Sequence, residues 1–318
     1  MKITKILTLG FFFYTLSLSA IFADEPIRHK LLVDDESRFQ LLYLDQEAPE
    51  NDWVIKAGEK VTPGACDRDM QLIGGNRLLA AQPPTGGFRE YDLKTREIVR
   101  QVTDARYAGS MTAVRMPDGR TLLGCEQENV RIYILDADGK ETKRLDFPQY
   151  KGIRLMRRTA RDTFLFGANH DRLVEIDIEG KVVKELHIPG ANYIYHAVGL
   201  PSGGYMIGTG YSGFLAELDA EGKIVKKWGG NPAPEGLRYF LFCQFQILKN
   251  GHIVVATWTG HAPEDSYKGQ QLVEFDAEGK VVWTWHDPKL AGSVHGVIVL
   301  DDLDTEKFND ETKGVLGE

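Results

Sequence analysis

From about residue 30 onward, apolar and polar residues alternate in short runs, the period of a half-buried strand. Arg131-Ile132-Tyr133-Ile134-Leu135 is one run, and Lys181-Val182-Val183-Lys184-Glu185-Leu186 is another. Between such runs one turn recurs five times: Tyr91-Asp92-Leu93-Lys94-Thr95-Arg96, Leu135-Asp136-Ala137-Asp138-Gly139-Lys140, Ile176-Asp177-Ile178-Glu179-Gly180-Lys181, Leu218-Asp219-Ala220-Glu221-Gly222-Lys223 and Phe275-Asp276-Ala277-Glu278-Gly279-Lys280. An Asp/Gly turn between alternating runs predicts a β-hairpin. Nine residues beyond each Asp stand Gln101, Leu145, Leu186, Trp228 and Trp285, which the repeat reads as mostly one packing position. A second hairpin precedes these, turning at Pro117-Asp118-Gly119, Pro201-Ser202-Gly203 or Asn250-Gly251.

The unit is therefore four antiparallel strands, A to D. Its Asp residues, 92, 136, 177, 219 and 276, lie 44, 41, 42 and 57 apart. Four-stranded units at that period are propeller blades. The ends supply one more. Leu31 to Asp45 is 14 residues, the spacing of Leu78 to Asp92 and of Leu122 to Asp136, so the chain enters at a strand B. Residues 294–300 read as a lone strand A. The expected fold is all-β, a six-bladed β-propeller over residues 24–300, closed by N-terminal strands B, C and D with C-terminal strand A. Such closure removes exposed edges. Residues 301–318 are left as an acidic tail.

Composition refines this picture only at the margins. The 318 residues carry 38 Lys and Arg against 46 Asp and Glu, a net charge of -8. That sign excludes nucleic acid and anionic lipid as natural partners. Lys2, Lys5, an apolar run over 6–22 and Ala23 read as an export signal cleaved after Ala23, with Ala20 as the alternative site. The expected location is periplasmic or extracellular, with no membrane span after cleavage. Three cysteines, Cys66, Cys125 and Cys243, are too few for a disulfide framework, and the sequence does not pair them.

Candidate chemistry gathers where the A strands begin. Aligned on their turns, they offer one polar residue per blade: Asp69, Thr112, Arg154, His196, Gln244 and His295. Ends of B strands add Gln82, Glu126, Asn169, His170 and Trp258, while Tyr195, Arg68 and Cys243 flank the ring. Two insertions account for the long 57-residue interval. They cover 230–240 and 258–264, include Tyr239 and His261, and fall on the same face. Polar residues at a channel mouth can simply hydrate it. Two histidines and an arginine on one axis more specifically suit an anion. Arg154 argues against a metal beside His196, His295, Asp69 or Glu126, and no local metal, phosphate-loop or catalytic-triad motif is present.

The repeats resemble bacterial pyrroloquinoline-quinone-like propellers, and within them the arylsulfotransferase-like group. Cys243-Gln244-Phe245-Gln246-Ile247-Leu248-Lys249-Asn250-Gly251-His252-Ile253 looks like that group's strand-turn-strand motif, and Leu272-Val273-Glu274-Phe275-Asp276 continues the match. The resemblance implies a central histidine that takes the sulfuryl group, with His and Arg steadying its charge. His196, His295 and Arg154 would fill those roles. Where the group's motif often begins with His, this chain has Cys243-Gln244. The repeated Trp docking motif of eight-bladed quinoprotein dehydrogenases is missing, so no quinone or other cofactor is expected.

Two function classes follow. One is an exported propeller that binds a small anionic or carbohydrate ligand, or a protein partner, through Asp69, Thr112, Arg154, Gln244, Glu126, His170, Tyr195, Trp258 and His261. The other is a group-transfer or elimination enzyme with His196 or His295 as nucleophile or general base.

Overall fold

A computed structural model describes residues 26–56 and 67–317. The expected export segment and Cys66 lie outside the described residues. Six four-stranded antiparallel sheets make six blades, as the repeat predicts. Blade 1 contains Lys30–Asp35, Gln40–Asp45 and Trp53–Lys56, completed by the C-terminal strand Val294–Val299. Leu31 pairs with Val299, Leu32 with Ile298 and Val33 with Val297, so both chain ends share one sheet. Blades 2 to 6 follow in order, with A strands Arg68–Leu72, Ser110–Arg115, Arg157–Arg158, His196–Gly199 and Leu241–Ile247.

The recurring turn has a simple cause. In four copies the Asp side chain accepts from the backbone N–H groups two and four residues on, as Asp136 does from Asp138 at 3.0 Å and Lys140 at 2.9 Å. The glycine then takes a left-handed φ of 85–97° that a Cβ would strain. That glycine also packs on the preceding blade: Gly180 on Leu145, Gly222 on Leu186 and Gly279 on Trp228. Blade 2 departs from the pattern. Its turn is one residue wider, Arg96 N–H closing on the Asp92 carbonyl and Arg96 taking the left-handed φ. The packing position on blade 2 consequently falls on Val102, against Gly139, while Gln101 is exposed.

Alternation gives each blade two apolar faces. Six hydrophobic clusters result, one per interface between neighbouring blades; Leu79, Phe88, Leu123 and Tyr133, for example, join blades 2 and 3. Because the core lies between blades, the ends of the axis are free for polar groups. Those ends differ. On the face of the A–B turns, residues 301–317 cross the channel. Phe308 bridges to Ile73 of blade 2, Glu311 pairs with Arg157 of blade 4, and Val315 bridges to Ile247 of blade 6. The opposite face carries the two insertions, and the first is tied to the loop that follows the second: Arg238 N–H donates to Gln270 Oε1 at 2.7 Å and Gln270 N–H to the Arg238 carbonyl at 3.0 Å.

Candidate functional site

The A strands do not run straight into the axis. Register shifts interrupt them between Arg68 and Met70, Ser110 and Thr112, and Phe242 and Phe245, and opposite His295 in blade 1. A β-bulge sends successive side chains to new directions, so the strict period of two fails there. The six-residue ring expected at one level is split between two groups, an enclosed one and one that lines an open cavity.

The inner group is closed. Asp69 accepts from the Thr112 hydroxyl and faces Arg157 Nη1 at 2.6 Å. Arg157 Nε pairs with Glu311 of the tail, whose other neighbour is His196 Nε2 at 3.3 Å. His196 Nδ1 accepts from the Phe245 N–H at 3.2 Å, and His196 is 0% exposed. Burial lowers the His196 pKa and leaves the ring neutral. Burial works against Glu311, but the hydrogen bond from His196 and the Arg157 guanidinium hold its carboxyl down at about 2. Gln244, its Nε2 donating to the Met70 carbonyl at 3.4 Å, lines a pocket with Arg157 and Glu311. Asp69, Thr112, His196 and Gln244 thus face one another, Arg157 and Glu311 rather than an open mouth.

The outer group opens to solvent. A cavity of about 170 Å³ lies on the axis, walled by residues of several blades, among them Arg68, Arg154, Tyr195, Trp258, His261 and His295. Under it sits Glu36, 2% exposed, at the end of the first B strand of blade 1. Its carboxylate accepts from Arg68 Nη2 at 2.8 Å, His261 Nδ1 at 3.0 Å and His295 Nε2 at 2.6 Å, and from the Trp258 indole. Burial opposes its ionisation, but His295, Arg68 and His261 more than reverse this and hold it well below the usual carboxylate range. With its Nε2–H given to Glu36, His295 turns Nδ1 towards Arg68 Nη1 at 2.7 Å and the Tyr195 hydroxyl at 2.8 Å. Burial and the Arg68 guanidinium push the His295 pKa down to about 4. Cys243 Sγ lies 3.4 Å from the same nitrogen, its thiol driven up by burial and therefore protonated.

Beside this cavity lies a second one of about 300 Å³, between blades 3, 4 and 5. Glu126 and His170 belong to it. Arg154 and Tyr193 wall both cavities, the guanidinium resting 4.1 Å over the Tyr193 ring and paired to Glu126. The expected site residues therefore divide four ways: Asp69, Thr112, His196 and Gln244 in the inner group, Tyr195, Trp258, His261 and His295 on the axial cavity, Glu126 and His170 on its neighbour, and Arg154 between the two cavities. No group of three or more His, Cys, Asp or Glu among the described residues is arranged to hold a metal.

No protein-family model matches the chain, and no curated protein matches it in sequence. Solved structures do. A protein of unknown function from Bacteroides caccae is 20% identical, with a TM-score of 0.67 over 85% of this chain and 98% of that one. Streptogramin B lyase is 14% identical, with a TM-score of 0.58 over 82% of this chain and 83% of its own. The likeness is one of fold. Both neighbours share the propeller architecture, and neither carries a residue role across at these identities.

Glu36, Tyr193, Tyr211, Arg157 and Glu311 are the residues that sequence reasoning missed. Glu36 had a signal: the 14-residue alignment that finds Glu126 at the end of strand B reaches Asp35 and Glu36 in blade 1. Glu311 had none, because its partners are more than 100 residues away.

Proposed function

We propose that the protein binds a small anionic, sugar-like ligand in the axial cavity. One observation carries this reading: the wall of that cavity includes Arg68, Arg154, four aromatic rings and two histidines, and no carboxylate. The carboxylate partners of the two arginines, Glu36 beneath the cavity and Glu126 in its neighbour, do not line it, so the space meets guanidinium and aromatic groups. Arg154 offers a planar fork suited to an oxyanion. Tyr193, Tyr211 and Trp258 offer flat faces of the kind that bind sugar rings, alongside few polar groups, as ligand sites generally do. A sulfate, a carboxylate or a uronic acid meets these demands.

Calorimetric titration of glucuronic acid and of an aryl sulfate into wild type and Arg154→Ala tests the reading. Loss of a charge-assisted contact is expected to weaken binding by about 1.5–3 kcal/mol. Equal affinities in the two proteins would remove the anion site.

A second reading, catalysis, is favoured by the line Tyr195–His295–Glu36. Glu36 fixes Nε2–H and leaves Nδ1 as the acceptor, which serves as a base once a bound anion draws Arg68 Nη1, 2.7 Å away, off that nitrogen. Elimination from a uronic acid, or transfer of a sulfuryl group as in the arylsulfotransferase-like propellers, would both use His295 rather than the enclosed His196. Product formed by wild type and lost in His295→Gln supports the enzyme; its rate should fall only as pH drops towards about 4. Binding without product leaves the receptor.

A further inference from the structure

The neighbouring cavity has an unusual backbone. Among its walls Asn169, His170 and Tyr193 have φ of 46°, 70° and 80°. Asparagine and histidine tolerate the left-handed region, but a tyrosine there is an outlier. A strained residue of this kind persists only where its surroundings over-determine it. Here they do. The N–H groups of Tyr193 and Ile194 both donate to the His170 carbonyl at 2.8 Å. Asn169 Oδ1 accepts from the Lys151 N–H at 2.7 Å, and its Nδ2 donates to the Gln149 carbonyl at 2.9 Å. The result is a Tyr193 ring held between Arg154 and the edge of His170, 4.9 Å away. Strain gathered on one cavity wall points to use of that wall.

The chemistry of this cavity differs from that of the axis. Arg154 is offset by Glu126, and Lys151 Nζ is 2.6 Å from Asn129 Oδ1. Asn169, His170, Lys151, Arg154 and Glu126 line the space with no dominant sign. Gly152, Gly167 and Ala168 keep the wall low. Such a surface suits a neutral unit rich in hydroxyls. At about 300 Å³ it lies at the small end of ligand-sized cavities.

We propose that this cavity is a second subsite, which takes a neutral, hydroxyl-bearing unit covalently attached to the anionic unit on the axis, with Arg154 and Tyr193 gripping the junction. The proposal rests on the anionic reading of the axial cavity, and names its ligand as at least a charged–neutral disaccharide. Glucuronic acid and the disaccharide of glucuronic acid linked to xylose are the probes, titrated by NMR against wild type, His170→Gly, Lys151→Met and Arg154→Ala. Glycine is chosen at 170 because it keeps the left-handed φ without strain.

Wild type should bind the disaccharide about tenfold tighter than the monosaccharide, the worth of one or two net hydrogen bonds. His170→Gly and Lys151→Met should erase that gain and leave the monosaccharide affinity unchanged, with thermal midpoints near wild type. Arg154→Ala should weaken both probes. If the monosaccharide binds through Arg154 but the disaccharide gains nothing, or its gain survives both cavity variants, the subsite is overturned while the axial reading stands. If neither probe binds, or Arg154→Ala changes neither affinity, both fall.

Discussion

Individual side chains here are charged or neutral according to where the fold buries them. His29 and His295 make the contrast. Both are buried histidines with a carboxylate on Nε2. His295 also meets Arg68 and stays neutral, whereas His29 lies between Glu274 at 3.0 Å and Asp301 at 2.7 Å. Burial works against charge on His29, but Asp301 and Glu274 outweigh it and raise the imidazole to about 9. A value raised above the ordinary 6.5 means that stabilisation is complete below 6.5 and disappears as pH rises through about 9. Urea unfolding followed from about pH 6 to about pH 9.5 should show wild type losing stability across that window. His29→Gln should lose markedly less. A variant with the same slope as wild type would show that the His29 cluster carries no such linkage.

At the scale of strands and turns, what was legible in the sequence is what leaves a residue-type mark. An Asp that accepts two backbone N–H groups, followed by a left-handed Gly, cannot be replaced silently, so the hairpins and the blade count could be read from positions 136, 177, 219 and 276. A bulge leaves no such mark. One extra residue opposite Ala81 or Gly124 breaks the strand alternation there, and nothing in the letters Arg68-Asp69-Met70 announces it. The wider turn ending at Arg96 likewise shifted the packing position from Gln101 to Val102. The tail was legible only as acidic. Its role depends on Glu311 meeting Arg157 and His196 across the axis. Glu311→Ala is expected to cost about 1.5–3 kcal/mol, the worth of a hydrogen bond to a charged group. Thermal and urea unfolding measure it, and an unchanged midpoint would mean that Arg157 is satisfied by Asp69 alone.

For the molecule as a whole, ring closure and tail are separable. A chain ending at residue 300 keeps Val294–Val299 beside Lys30–Asp35 and loses only the tail. It should remain monodisperse with a lowered melting temperature. A chain ending at residue 293 leaves Lys30–Asp35 as an open edge, and should associate or aggregate in light scattering. Two truncations that behave alike would contradict closure by the last strand.

The crossing tail has a consequence for traffic. A propeller bored from face to face could be threaded by a polymer, but this one is shaped as a cup, with residues 301–317 as its base and the insertions on its rim. Whatever enters at Arg154 must leave by the same door. A long chain could only rest across the rim and dip an end or a branch inside, so this architecture selects for termini and side groups over the middle of a strand.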